Sequence, residues 1–175
     1  MFPLMRLRNI RDGLTRSVVM LTVLGCVGCG VYTFSGSTLP GHMKTVDIPL
    51  FVNRSMQPDV AERLTEEVTR QVLSTNLLRI VSQEGDATIE GTIIEYVNHP
   101  YTYDTRSTGV SIDRYAVRIA VDVQFMDNKK SDPIYRGQIR GEGIYNFQSE
   151  TEQIGRDRAI KQIAEQILQN SVQSW

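Results

Sequence analysis

Cysteine, histidine and tryptophan are scarce, with two Cys, two His and one Trp among 175 residues. Two Cys and two His cannot fill a structural zinc site at a workable spacing, and two Cys are too few for a disulfide-stapled small domain. Neither sign of charge dominates: 19 Lys and Arg stand against 20 Asp and Glu, a formal net charge of −1. That balance provides no long-range field for gathering polyanions, which disfavours a nucleic-acid partner bound by phosphate neutralisation. No apolar run reaches the roughly 20 residues of a membrane-spanning helix. What remains, 41% hydrophobic residues with six Pro and thirteen Gly, is the composition of one ordinary globular domain.

The charge that is present is unevenly placed. Residues 1–25 hold four Arg (Arg6, Arg8, Arg11, Arg16) and one acid, Asp12, leaving the other 150 residues with 15 basic and 19 acidic side chains, a net −4. No charged residue occurs from Ser17 to His42, and the apolar run Val18-Val19-Met20-Leu21-Thr22-Val23-Leu24 follows the Arg-bearing segment. A basic start, a short apolar stretch and small residues before a cleavage point are the parts of a secretory signal. Gly25, Gly28, Gly30 and Ser35-Gly36-Ser37 interrupt the pattern that a spanning helix needs.

The run ends Val23-Leu24-Gly25-Cys26-Val27-Gly28-Cys29-Gly30. A branched residue, a free position, a small residue and then Cys resembles the bacterial lipobox, whose Cys thiol takes a diacylglyceryl group and becomes the new N-terminus. Cys26 fits at every position; Cys29 is the alternative, with Cys26 where a branched residue is preferred. As a C-x-x-C redox or metal pair, Cys26 and Cys29 lack a second Cys pair and a βαβ context. Neither Cys is followed by Asp, so delivery to the outer membrane is expected. Acyl chains gain about 0.8 kcal/mol per buried CH₂, enough for several chains to hold a soluble body without a transmembrane helix. The expected organisation is a signal peptide over 1–25 (to 28 if Cys29 is lipidated), the lipidated Cys and linker over 26–44, and one domain over 45–175.

Beyond the turn-rich segment Phe34–Gly41, Thr45–Phe51 reads as a first strand with Pro49 at its edge or end. Asp59 and Glu62 suggest a capping box, and Val60, Ala61, Leu64, Val68 and Val72 recur at helical spacing up to Asn76, a residue suited to a left-handed C-cap. Leu77–Val81 is a short strand. Ala87–Val97 is a longer one, weakened by Gly91, and a polar aromatic loop is expected from Asn98 to about Ile112. Between Arg114 and Met126, Tyr115, Val117, Ile119, Val121, Val123 and Phe125 share one face, while Arg114, Ala116, Arg118, Ala120, Asp122 and Gln124 share the other. This is a strand buried on one side. A turn over Asp127–Pro133, a strand from Ile134 to about Phe147, a second capping box at Ser149 and Glu152, and the helical stripe Ile160, Ile163, Ala164, Ile167, Leu168 complete the chain. Each apolar face needs the other, so the expected fold is α+β: a two-layer α/β sandwich with a mainly antiparallel four-stranded sheet packed by two amphipathic helices.

Nothing in the residues points to catalysis or to a metal or cofactor. His42 and His99 have no i, i+4 relation and no acidic partner at metal-ligand spacing, and G-x-S-x-G, H-E-x-x-H and P-loop patterns are absent. The candidates with functional content are Arg106 and Arg114, beside the aromatic stretch Tyr101–Tyr103, and Lys129 and Lys130 on another turn. Basic side chains at sheet tips can hold the phosphates of an anionic ligand through charge-assisted hydrogen bonds.

Taken in order, Cys29-Gly30-Val31-Tyr32-Thr33-Phe34-Ser35-Gly36-Ser37, then Leu39-Pro40-Gly41-His42-Met43-Lys44-Thr45-Val46, Ile48-Pro49, Phe51, Asn53-Arg54, Asp86-Ala87, Glu90-Gly91-Thr92-Ile93, Tyr115-Ala116-Val117, Gly141-Glu142-Gly143 and the closing Val172-Gln173-Ser174-Trp175 resemble the LptE family of lipopolysaccharide-assembly lipoproteins. The resemblance implies a non-enzymatic outer-membrane lipoprotein that sits as a plug in the barrel of LptD, assists the folding of that barrel and helps deliver lipopolysaccharide to the outer leaflet. Family members contact lipopolysaccharide through basic side chains near strand-end loops, and Arg106 is the nearest position here. A second family position falls near 148–152, where this chain has no Lys or Arg. The family start aligns Cys29 with the lipidated residue, whereas local chemistry favours Cys26. A lipoprotein scaffold of another envelope or secretion complex is the alternative function.

Overall fold

The computed structural model describes residues 39–104 and 111–173. Its elements are β1 (Thr45–Asp47), β2 (Val52–Asn53), α1 (Val60–Thr75), β3 (Arg79–Val81), β4 (Ala87–Asp104), β5 (Ser111–Asp127), β6 (Asp132–Asn146) and α2 (Glu152–Leu168), followed by a π-helical turn at Gln169–Gln173. The sheet order is β3-β1-β4-β5-β6, with β2 also paired to β4. β1 runs parallel to β3 and β4, and β2 parallel to β4, while β4, β5 and β6 form an antiparallel meander. The α+β class and the helix pair agree with the sequence, but the four-stranded, mainly antiparallel sheet is corrected to a mixed sheet of six strands. The cause is connectivity: β1, α1 and β3 form a crossover unit that returns the chain in the same direction, and such a unit pairs parallel. A βαβ context therefore exists after all, beginning at Thr45, beyond both Cys. Of the single strand expected over 45–51 only Thr45–Asp47 forms, because Pro49 has no N–H for the ladder, and the short β2 begins past Phe51.

In α1 the residues Val60, Ala61, Leu64, Val68 and Val72 are all buried, and Asn76 ends the helix in the left-handed region at φ 54°, donating its N–H to the Leu73 carbonyl. The expected Asp59 capping box does not form. Asp59 is itself left-handed, at φ 60°, whereas a side-chain cap needs extended backbone at that position; only its carbonyl engages, accepting the Arg63 N–H at 3.2 Å. The Ser149–Glu152 box is absent too. Thr151 precedes α2 without a side-chain cap, and the Glu152 carboxylate accepts instead from the Tyr96 hydroxyl at 2.6 Å and the Asn98 amide at 2.9 Å.

The core lies between the helix pair and one sheet face. Ile160, Ile163, Ala164, Ile167 and Leu168 of α2 meet Val117, Ile119, Val121 and Phe125 of β5, all buried. Each large aliphatic side chain so buried contributes about 1.5–3 kcal/mol of gross transfer free energy. Glycines set the separation of the layers. A Cβ on Gly143 would lie 1.8 Å from the Gly155 carbonyl oxygen, and one on Gly141 would lie 2.4 Å from that of Ala159. The backbone of α2 therefore rests directly on β6. Gly91 has a different use: the buried Phe51 ring fills the space of its missing side chain, 2.3 Å from where a Cβ would stand. The glycine expected to weaken β4 is thus covered by an aromatic ring.

On the opposite face of β5, Arg114, Arg118 and Asp122 are exposed as expected, but Ala116 and Ala120 are buried. Small side chains there sit below longer cross-strand neighbours, His99 and Ile144 beside Ala116, Glu95 and Arg140 beside Ala120. The loop expected over 98–112 is largely strand, with β4 running to Asp104 and β5 starting at Ser111. β4 has 18 residues and spans roughly 60 Å, against roughly 25 Å for the 17-residue α2. β6 stops at Asn146, opposite Arg114, so the far part of the β4–β5 hairpin stands as a two-stranded ribbon.

Candidate functional site

The four basic candidates do not form one site. Arg114 lies where β6 ends and the ribbon begins, while Lys129 and Lys130 follow Asp127 at the other end of β5. Thirteen steps of strand separate Arg114 from Asp127, roughly 40 Å at about 3.3 Å per residue. Arg106, Cys26 and Cys29 lie outside the described residues.

At the Arg114 end an aromatic cluster lies on the helix side of the sheet, and Arg114 stands on the other face. Tyr115 packs in tilted contact with Tyr145, at a centroid distance of 6.0 Å, and with Phe147, at 5.4 Å. Phe147 and Tyr101 are exposed, and so is Arg114. Cross-strand aromatic contact stiffens the base of the ribbon. Arg114 forms no ion pair among the described residues, so its guanidinium is available to an anion.

Lys129 is committed elsewhere. Its ammonium lies 2.7 Å from Asp86 and donates to the His42 carbonyl at 3.3 Å. Asp86 also accepts the Lys44 and Thr45 N–H groups at 2.9 and 3.1 Å and the Thr45 hydroxyl at 3.0 Å. Lys129, then these donors, hold its carboxyl well below the usual carboxylate range. Asp127, only 3% exposed, accepts from His42 Nε2 at 2.8 Å and from the Lys129 and Lys130 N–H groups at 2.9 and 3.1 Å. Burial pushes its pKa up, but His42 and the two backbone donors outweigh it and the net direction is down. The group forms a clasp tying the segment before β1 to the β3–β4 and β5–β6 turns. Lys130 is exposed, with its ammonium unpaired among the described residues. The acidic partner of His42 is 85 residues away, which no local spacing rule could find.

A second polar group missed in the sequence joins the layers near the ribbon. Tyr96 and Asn98 of β4 hold the two carboxylate oxygens of Glu152, and Asn98 also donates to the Tyr145 hydroxyl at 2.9 Å. Burial and then the Glu152 contact raise the Tyr96 pKa above its ordinary value. Across the solvent face, Arg118 reaches Glu142 at 2.9 Å and His99 lies 3.6 Å from the same oxygen. A concavity on that face, about 370 Å³ and lined by Glu90, Thr92, Asp122, Gln124, Arg136 and Gln138, is open and of mixed charge. Among the described residues no three His, Cys, Asp or Glu side chains gather as metal ligands, and no helix is long and apolar enough to cross a membrane.

A helix pair over one face of a long antiparallel meander, with a polar second face, defines a two-layer sheet-and-helix sandwich. The model of the LptE family, lipopolysaccharide-assembly, matches residues 43–171, and the chain belongs to that family. It is a family of non-enzymatic lipoproteins. Protein XCC0632 from Xanthomonas campestris has a similar fold at 7% identity and a TM-score of 0.53, covering 74% of this chain and 86% of that one. Lipoprotein B from Nitrosomonas europaea is 15% identical over 72% of this chain and 80% of its own, with a TM-score of 0.48. Lipoprotein GNA1162 from Neisseria meningitidis is 9% identical over 71% and 97%, with a TM-score of 0.43. Comparison with curated proteins gives no match.

Proposed function

We propose that this chain is an outer-membrane lipoprotein that assists assembly of an LptD-like barrel and insertion of lipopolysaccharide into the outer leaflet. The family match across residues 43–171, which takes in the whole described sandwich from Met43 to Ser171, carries the reading. Residues 1–25 serve as the signal peptide, Cys26 (alternatively Cys29) takes the lipid, and the sandwich sits in the barrel lumen. Two features of the domain support that placement. Its second sheet face is polar and no described helix covers it, as suits a wet lumen, and its ribbon extends past the helix layer. Lipopolysaccharide phosphates are held at the ribbon by Arg106 and Arg114 through charge-assisted hydrogen bonds. Lys130 offers a second, separate cation, and Lys129 serves mainly the clasp.

Depletion of the protein in its native cell tests the function. Misassembled barrel, read by its heat-modifiable mobility, together with reduced surface lipopolysaccharide is expected. Normal levels of both refute the reading.

A further inference from the structure

The two long edges of the sheet are treated differently. In an antiparallel ladder the N–H and C=O of one residue point to the same neighbouring strand. On β6, Arg140, Glu142 and Ile144 point away from β5, and side chains meet them: Gln162 accepts the Glu142 N–H at 2.8 Å, Gln166 donates to the Arg140 carbonyl at 3.3 Å and Arg158 donates to that of Ile144. Glu150 accepts the Asn146 N–H at 2.8 Å. Helix α2 and the turn before it thus seal the upper part of this edge, a defence against strand addition.

The parity carries across the sheet. β5 residues bonded to β6 are the odd-numbered ones, so the β4 residues opposite them, Tyr96 opposite Ile119, Asn98 opposite Val117 and Pro100 opposite Tyr115, point outward. β2 occupies this outer edge only at Thr92 and Ile93, ending with the Arg54 N–H on the Ile93 carbonyl at 2.9 Å. Past the bulge at Ile94, no described residue reaches the outward backbone of Tyr96, Asn98 or Pro100. Pro100 has no N–H to lose on that side, which explains how it sits within a strand. The same flank concentrates exposed apolar side chains: Leu50, Val52, Val97, Tyr101 and Met56, which is fully exposed. Between the loop after β2 and this edge runs a groove of about 330 Å³, lined by Arg54, Met56, Gln57, Ile94, Glu95 and Tyr96.

We infer that the outer edge of β4 from Tyr96 to Pro100 is a strand-docking site, taking an extended segment of the barrel subunit in line with β2, with an apolar side chain seated in the groove beside Met56. This rests on the proposed function. The wall of a closed barrel has no free edge, so the added segment comes from a loop or terminal stretch of the barrel chain. A second copy of this chain fits less well: two-fold pairing about Asn98 sets each Pro100 against a Tyr96 carbonyl to which it cannot donate. Main-chain bonds then provide the affinity and the groove the selectivity.

The test compares two substitutions at one position in the full-length lipoprotein. Asn98→Ala loses the side-chain bonds to Glu152 and Tyr145 but keeps the outward N–H, whereas Asn98→Pro loses both. With equal protein levels and melting temperatures, Asn98→Pro is expected to recover about tenfold less barrel from native outer membranes than Asn98→Ala. Met56→Lys, on a fully exposed side chain, reports independently of Asn98→Pro folding and is expected to lower recovery as well. Equal barrel recovery from Asn98→Ala and a folded Asn98→Pro, or undiminished recovery from Met56→Lys, overturns the docking site while the proposed function stands. Wild-type protein that recovers no barrel, or only further copies of itself, overturns both.

Discussion

Substituting Gly143 by Ala introduces one methyl group at the tightest point between α2 and β6. The new carbon would stand 1.8 Å from the Gly155 carbonyl oxygen and 2.8 Å from the Ala159 nitrogen. Both are backbone atoms of α2, so no side-chain rotation relieves the overlap, and α2 must lift or slide. Overpacking of a core costs about 1–3 kcal/mol, and contact with two backbone atoms of α2 places this case near about 3 kcal/mol. At roughly 3–5 °C per kcal/mol for a domain of this size, the melting temperature followed by circular dichroism should fall by roughly 10–15 °C. Gly41→Ala is the control, since a Cβ there meets nothing within 4 Å; its melting point should hold or rise slightly through the stiffer unfolded chain. Gly155→Ala clashes with Tyr145 and the Gly143 carbonyl in the same contact, so the double substitution should cost less than the sum of the two. A Gly143→Ala protein melting within about 2 °C of wild type refutes the close-approach argument.

Phe51→Ala empties the space over Gly91 and should destabilise by about 3–5 kcal/mol in a urea titration, with Phe51→Leu closer to wild type. Asp86 and Asp127 have folded pKa values below the ordinary carboxylate value of about 3.9. Their contribution to stability is therefore full at neutral pH and is lost as pH falls below about 4 toward the folded values. Asp86→Asn should lower the neutral-pH melting point and flatten its acid dependence, and an unchanged acid limb would contradict the clasp. In capture of purified lipopolysaccharide at low salt, Arg114→Glu should weaken binding several-fold, whereas Lys129→Ala should lower the melting temperature with little change in capture. Mass spectrometry of the mature N-terminal peptide should find the acyl chains on Cys26; chains on Cys29 would move the cleavage point by three residues.

Element type was legible wherever a period repeats over ten or more residues. Both helix stripes and the buried face of β5 read correctly because a 3.6 or 2 residue period reports a single buried face. The ends of elements did not. Asp59 and Ser149 had the right side chains for caps, yet neither forms one, and the loop assigned from Asn98 is strand because Pro100 happens to turn its missing N–H outward. The site was legible only in composition. Arg114 and Lys129 look alike in the sequence and both are exposed, but Arg114 has no ion pair among the described residues whereas Lys129 is paired with Asp86.

Local physics therefore determined what can be determined locally: the basic and apolar start with its Cys, the amphipathic faces, and the order in which helix and strand follow one another. Family membership also followed from short segments in sequence. Tertiary structure alone decided the parallel placing of β1 between β3 and β4, the glycine contact of α2 on β6, the His42–Asp127 clasp and the difference between a sealed and an open sheet edge. Each of these joins groups far apart in the chain, and their energies depend on a distance that exists only after the chain has closed on itself.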